Sequence, residues 1–386
     1  MFYVSKVSLL FFLLALVGLF LSLILKVTSL DFTHYGKLAV FGFILPTIVG
    51  AFYQIIPNSQ QKKLNSGFIG YIVFMLSVLN LYYLYINDFE KSSFFIVAIA
   101  LLSTIHLAFV INNLKPITVK FLLFANIFMV LSAIFLMLSV KSPQFSLQID
   151  IHTFTIGVMI NAVLGVQTAW IPMIYMQELG KTKFAKVLLK QLVYIHQFIV
   201  LAILVGFYFG NYKILGAFSL VELALIILFI KFVFYDSIKP QFKLHGIPYQ
   251  VKFFLTGHIF FLAGLIIAHI IGISNKFELI PYHIDFIVYG FAVFTIIGGI
   301  IHLVPRIIWN IVYVKKAQEM KQIPNVKGVI SREKAEKLYY VALVGYLFFT
   351  FFDVLFGGLI ASLVYVVFLA IVIFGFLLDF YRLYVL

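Results

Sequence analysis

Three stretches of the sequence share one arrangement of glycine and proline. They read GFILPTIVGAFYQIIP (residues 42–57), GVMINAVLGVQTAWIP (157–172) and GFAVFTIIGGIIHLVP (290–305). Each starts with glycine, has glycine again at its ninth position and has proline at its sixteenth. Small residues two turns apart let membrane helices approach closely, and neighbouring groups can replace the hydrogen bond that a proline removes. Close packing alone would explain one such stretch, but the recurrence predicts three equivalent membrane helices.

The composition around these stretches is that of an integral membrane protein. Of the 386 residues, 63% are hydrophobic and 11% are charged, and a water-soluble domain does not carry so large an apolar fraction. Hydropathy windows of about 19 residues mark twelve spans, and the three stretches fall on spans 2, 6 and 10. We therefore predict an all-α polytopic fold, a single transmembrane domain over residues 1–386, with twelve helices in three parallel pseudo-repeats of four, about 5–115, 116–240 and 250–386.

The net charge of +14 is mostly a topology signal. Of the 28 Lys and Arg residues, 22 lie at the termini and in the loops on one side of the predicted membrane, and six lie on the other. The positive-inside rule then predicts that both termini are cytoplasmic. The expected location is the inner (cytoplasmic) membrane, with the lipid bilayer as surroundings, and the polar stretch 313–337 is interpreted as a cytoplasmic connector.

Several function classes are excluded at this level. The basic residues lie in separate loops and form no single stripe, which argues against binding to nucleic acid. No P-loop and no dinucleotide fingerprint occurs in the sequence, so nucleotide-driven work is not expected. Because the chain has no cysteine, disulfides, thiolate haem ligation and iron–sulfur clusters are excluded.

A histidine precedes each of the three stretches, at the end that the topology predicts to be outside. His34, His152 and His283 lie eight, five and seven residues ahead of the first glycine of their stretches. Histidine is the commonest metal ligand among the side chains. A lone histidine at a membrane interface is more often an ordinary side chain than a ligand, but three at equivalent places favour cofactor binding.

Four further polar residues are predicted to lie within the membrane. Two of them are histidines, His196 on span 7 and His269 on span 9. Glu222 on span 8 and Asp285 on span 10 are candidates for a proton path, since burying a carboxylate in lipid is costly. For Asp285 the alternative is a plain interfacial position, and for Glu222 the two interpretations weigh equally.

Twelve helices with cytoplasmic termini and outer histidines on helices 2, 6 and 10 resemble subunit I of the haem-copper oxidases. The stretch YHIDFIVYGFAVFTIIGGIIHLVPRI (282–307) resembles the tenth helix of that superfamily. HYGKLAVFGFILPTIVGAFYQIIPN (34–58) resembles its second helix, and is equally similar to the NnrS family of twelve-helix haem- and copper-containing proteins linked to nitric oxide stress. The resemblance implies haem, of unspecified type, with His34 and His283 as its first-choice ligands. His152 comes next, on the helix that carries a copper ligand in the oxidases, so copper is a further implied cofactor. With His152, the resemblance makes His196, on the helix that supplies copper histidines in the oxidases, and His269 candidate metal ligands.

The sequence also departs from the oxidase pattern. His283-Ile284-Asp285 stands where the oxidases have His-x-His, and Ile156 stands where a tyrosine would follow His152. A complete oxygen-reducing centre is therefore not expected. The resemblance implies electron transfer or the handling of NO or O2, with oxidoreductase activity left open and with a membrane or periplasmic electron donor or partner subunit. A twelve-helix secondary transporter or channel and a cofactor-free membrane assembly protein are the alternatives.

Overall fold

The computed structural model describes residues 3–28, 31–141, 147–238, 246–314, 330–356 and 358–385. Across these ranges the secondary structure is helical and contains no strand. Twelve helices are long and apolar enough to cross a membrane, which confirms the predicted all-α fold with twelve spans. They are α1 (Val7–Thr28), α2 (Phe32–Ser59), α3 (Gly67–Tyr85), α4 (Phe89–Ala108), α5 (Ile117–Val140), α6 (Gln148–Tyr175), α7 (Lys183–Tyr208), α8 (Tyr212–Ile238), α9 (Tyr249–Ser274), α10 (Phe277–Tyr313), α11 (Arg332–Phe352) and α12 (Leu359–Tyr384).

The predicted cytoplasmic connector 313–337 lies mostly outside the described residues, which omit 315–329. The cytoplasmic placement of the termini stays a prediction, as does the division into three four-helix repeats. We call the end of the bundle that carries His34, His152 and His283 the outer end, and the opposite end the inner end.

The three helices with the glycine and proline stretches form the centre of the bundle. In α2, α6 and α10, between 78% and 94% of the most apolar window is buried, against 33–56% in the other nine spans that the structure describes. A helix surrounded by other helices needs small residues where its neighbours approach. The glycine pattern therefore marks the helices that are buried on all sides.

Each of these central helices widens into a π-helix in its outer half. The π segments are Leu38–Ile44 in α2, Thr153–Ile160 in α6 and Asp285–Ala292 in α10, and the segment of α2 packs against the other two. The first glycine of each stretch lies inside its π segment. π segments occur frequently at functional sites, and here each one directly follows the outer turn that carries the histidine.

The first glycine of each stretch also packs closely against the helix that precedes its own. A Cβ atom added at Gly157 or Gly290 would come within 2.7–2.9 Å of a phenylalanine side chain, and one added at Gly18 would overlap the carbonyl oxygen of Gly42. The three pairs are Gly42 with Gly18 of α1, Gly157 with Phe128 of α5, and Gly290 with Phe260 of α9.

The second glycine of each stretch packs in the same way against the same neighbouring helix. Its partner there lies seven residues before the partner of the first glycine. A Cβ added at any of the three would lie 2.7–3.0 Å from a phenylalanine Cβ. The pairs are Gly50 with Phe11 of α1, Gly165 with Phe121 of α5, and Gly298 with Phe253 of α9. The helix pairs α1/α2, α5/α6 and α9/α10 therefore pack in one common register, as related repeats would.

We expect Gly18→Ala to destabilise the protein, because the new methyl group would overlap the backbone of Gly42 and overpacking costs about 1–3 kcal/mol. Thermal unfolding in detergent should show a lower midpoint. The control is Gly67→Ala at the start of α3, where a Cβ would meet no atom within 4 Å. Equal midpoints for the two variants would mean that the α1/α2 contact does not limit stability.

Candidate functional site

An apolar cavity of about 250 Å³ lies in the outer half of the bundle, between α2 and the helices α6 to α10. Its wall consists mainly of Ile, Leu and Phe side chains. Two histidines interrupt this apolar surface, His152 of α6 and His283 of α10. A concave, mostly apolar space with a few converging polar groups is the usual form of a ligand or cofactor site. We call this space the outer cavity.

His152 and His283 stand side by side in the wall of the outer cavity. Their ring centroids are 6.5 Å apart and the two ring planes are inclined by only 11°. His152 is the last residue before the π segment of α6, and His283 lies two residues before that of α10. The two central helices thus bring together residues that are far apart in the sequence.

Each of these two rings is anchored through its Nδ1 atom. In His152, Nδ1 lies 2.7 Å from the carbonyl oxygen of Gln148, and in His283 it lies 3.0 Å from that of Gly264. Because a carbonyl only accepts, Nδ1 carries the proton in each ring and Nε2 of the neutral imidazole keeps its lone pair. Neither Nε2 has a hydrogen-bond partner within the described part of the chain. This is the arrangement in which protein histidines bind metals.

The segment that follows His283 is held in place by three other helices. Lys26 of α1 forms a buried ion pair with Asp285. The hydroxyl of Tyr346 donates to the carbonyl oxygen of Asp285 at 3.2 Å, and the hydroxyl of Tyr365 donates to that of Tyr289 at 2.6 Å. Asp285, a predicted proton-path residue, is thus held in an ion pair with one of the six basic residues of the outer side.

The structure does not bring His34 into the outer cavity. Its Nε2 atom lies 2.8 Å from the carbonyl oxygen of Leu84 in α3, and its ring packs edge-on against Phe89 of α4. The neighbouring Thr33 and Gly36 line the cavity instead. Of the three outer histidines, the structure therefore pairs His152 with His283, whereas the resemblance favours His34 with His283.

The predicted metal ligand His196 and the predicted proton-path residue Glu222 meet between α7 and α8. His196 Nδ1 lies 3.1 Å from Glu222 Oε2, and both side chains are fully buried. Nε2 of His196 is buried without a hydrogen-bond partner in the described residues. Glu222 lies one turn inward from Ser219, which lines the outer cavity. The pair therefore lies just below the cavity and is not part of its wall.

His269 of α9 does not line the outer cavity. Its Nδ1 lies 2.9 Å from the carbonyl oxygen of Gly216 in α8, where the two helices approach closely through Gly216 and Gly272. The described residues contain no group of three or more His, Asp or Glu side chains placed to hold a metal ion. The outer cavity thus offers two protein nitrogens, from His152 and His283.

No family model matches the chain. An uncharacterized protein of Aquifex aeolicus (strain VF5) is 38% identical to it over 379 residues, which cover 96% of each chain. The chain belongs to the same family as this Aquifex protein. Since the similarity covers almost the whole length of both chains, the relationship concerns the complete domain and not a shared segment.

We expect the effects of substituting Lys26 and Asp285 on the free energy of unfolding to be strongly non-additive. Lys26→Met leaves a buried carboxylate without its cation, and breaking a buried pair from one side costs about 3–5 kcal/mol. The double variant Lys26→Met/Asp285→Leu removes both charges and should recover most of that loss. Thermal unfolding of the two single variants and the double variant measures the coupling, and additive losses would show that the two charges act independently.

Proposed function

We propose that this chain is a haem-binding membrane protein in which His152 and His283 hold the haem iron in the outer cavity. The observation that carries the proposal is the pair of nearly parallel imidazoles with anchored Nδ1 atoms and unpartnered Nε2 atoms. The choice of haem as cofactor rests on the resemblance to haem-copper oxidase subunit I and to NnrS. The choice of His152 and His283 as ligands rests on the geometry of the outer cavity. Copper bound by the same two nitrogens is the alternative occupant.

The residues of the cavity fit this group. Metal–nitrogen bonds to imidazole measure about 2.0–2.1 Å, so two imidazoles whose centroids lie 6.5 Å apart, as those of His152 and His283 do, are close enough that both could reach one metal ion. Backbone acceptors at Nδ1 fix the tautomer and raise the basicity of Nε2. The Ile, Leu and Phe side chains of the wall suit the apolar faces of a macrocycle.

When bound, haem would supply one-electron chemistry; because His152 and His283 would both be bound to the iron, a diatomic gas such as NO or O2 would bind only after one imidazole has left. The chain's own residues orient it and control its surroundings. Gln148 and Gly264 orient the two rings, and the Lys26–Asp285 pair holds the π segment that follows the turn of His283. The apolar wall lowers the polarity around the site, which influences redox potential. Two histidine ligands favour electron transfer, in an oxidoreductase role, and gas handling would require that one of the two imidazoles be exchangeable.

The charge distribution supports the rest of the proposal. We place the protein in the inner membrane with both termini cytoplasmic and with three four-helix pseudo-repeats. In that orientation the outer cavity lies on the extracytoplasmic side. An electron donor in the membrane or the periplasm, or a partner subunit, would approach from there.

The test is a set of reduced-minus-oxidised visible spectra of the protein purified in detergent, with haem and copper assayed on the same samples. We expect a Soret band in the parent protein and its loss or displacement in His152→Ala and in His283→Ala. His106→Ala is the control, because His106 lies on α4 beside Tyr53, away from the outer cavity.

His34→Ala distinguishes the two ligand assignments. If the geometry gives the correct pair, this variant keeps the spectrum of the parent. A band lost in His34→Ala and kept in His152→Ala would restore the pair implied by the resemblance. A colourless parent protein without haem or copper, made in cells with intact haem synthesis, would overturn the proposal and direct attention to transport assays in liposomes.

A further inference from the structure

Helices α7 and α8 bury an acid–base pair that is separate from the haem site proposed above. His196 Nδ1 lies 3.1 Å from Glu222 Oε2, within hydrogen-bond geometry, and 3.0 Å from Oε1. The two residues are 0% and 1% exposed. Neither lines the outer cavity, although Ser219, one turn from Glu222 on α8, does. Ionisable side chains inside the membrane are rare and often mark proton relays.

The surroundings of the pair are apolar. The hydroxyl of Ser219 donates to the carbonyl oxygen of Leu215 at 2.7 Å, so its hydrogen is not available to Glu222. The other buried residues one turn before or after the pair on the two helices are hydrophobic: Leu192, Val193, Ile199 and Val200 on α7, and Leu225 and Ile226 on α8. Within the described residues, His196 and Glu222 are each other's only hydrogen-bonding partner.

The basic side chains of the neighbouring helices are bonded to other groups. Helices α5, α6 and α9 pack against α7 and α8. Their basic side chains and the residues that these contact are Lys120 with Tyr194, His152 with Gln148, Lys252 with Glu336, His258 with Gln167, and His269 with Gly216. In the described part of the chain, the group that could neutralise a Glu222 carboxylate is therefore His196 itself.

The pair can hold its protons in three ways, and burial decides among them. A carboxylate beside a neutral imidazole leaves a net negative charge in an apolar interior, which is very costly. A carboxylate beside an imidazolium is neutral overall, but a buried ion pair repays the desolvation of its charges only when the remaining lone pairs and protons are also hydrogen-bonded. This condition is not met, because His196 Nε2 and Glu222 Oε1 have no hydrogen-bond partner in the described residues.

A carboxylic acid beside a neutral imidazole avoids both costs. In this form the hydroxyl at Glu222 Oε2 donates to the lone pair of His196 Nδ1, and Nε2 carries the ring proton. The atoms without partners, Nε2 and Oε1, then belong to uncharged groups, for which an unmade hydrogen bond costs less than for ions. The geometry and the burial of the pair therefore favour the neutral acid.

We propose that His196 and Glu222 form a proton-binding site inside the membrane, in which Glu222 is a neutral carboxylic acid that donates a hydrogen bond to Nδ1 of neutral His196. The site holds one ionisable proton without a buried charge. It lies about one helical turn, roughly 5 Å along α8, inward from Ser219 in the wall of the outer cavity. It does not depend on haem in that cavity, because neither residue lines it.

Infrared spectroscopy of the purified protein at neutral pH tests the proposal, because a protonated carboxyl group has a C=O stretch that a carboxylate lacks. We expect this band in the difference between the spectra of the parent and of Glu222→Gln. Glu278→Gln is the matched control, since Glu278 is exposed near the start of α10, and its difference spectrum should lack the band. A parent spectrum that loses no such band in Glu222→Gln would overturn the proposal.

Substitution of His196 separates the neutral acid from the ion pair. In His196→Leu and in His196→Asn we expect the Glu222 band to persist at a shifted frequency, because the hydrogen bond to Nδ1 is lost or replaced. If the parent holds an ion pair, the band is absent there and appears only in these variants, where Glu222 must take up a proton, and the proposal is wrong. Either variant suffices if the other does not fold. Protein without haem gives the same infrared result, so a failure of the haem proposal leaves this one testable.

Discussion

The fold depends on the need to satisfy every backbone polar group inside a membrane, where no bulk water is available. The three central helices leave the regular α-helical pattern in their π segments, and neighbouring side chains bond some of the carbonyls there. Asn80 of α3 donates to the carbonyl oxygen of Phe41 in α2 at 3.1 Å. The hydroxyls of Tyr346 and Tyr365 donate to carbonyl oxygens in the π segment of α10. Such segments are stable in lipid only when other helices surround them.

The arrangement of the outer cavity follows from this constraint. Because α2, α6 and α10 lie at the centre, the turns that precede their π segments face one another and not the lipid. His152 and His283 belong to these turns, and each ring uses a backbone carbonyl at Nδ1. The centre of the bundle thus presents two imidazole lone pairs to an apolar space, which is the basis of the haem proposal.

The buried polar groups of the inner half have a different distribution. In the outer cavity, Nδ1 of His152 and of His283 is bonded to a backbone carbonyl. In the inner half, Gln167 Nε2 and Thr295 Oγ1 have no hydrogen-bond partner within the described residues. Helix α6 runs through both halves of the bundle and carries His152, Asn161 and Gln167. One central helix therefore carries both a histidine of the outer cavity and buried polar groups of the inner half.

The sequence by itself determined the all-α class and the twelve spans, because hydropathy is a local property. Gly42, Gly157 and Gly290 single out α2, α6 and α10 in the sequence, and the outer histidines are visible beside them, but the central position of these helices came from the structure. Only the tertiary structure decided which side chains meet. His34 contacts the carbonyl oxygen of Leu84, and Asp285 forms an ion pair with Lys26, 259 residues away in the sequence. His196 meets Glu222. Such contacts depend on the rotation of each helix about its axis, which in a chain apolar on nearly all faces is set by packing and has no clear trace in the sequence.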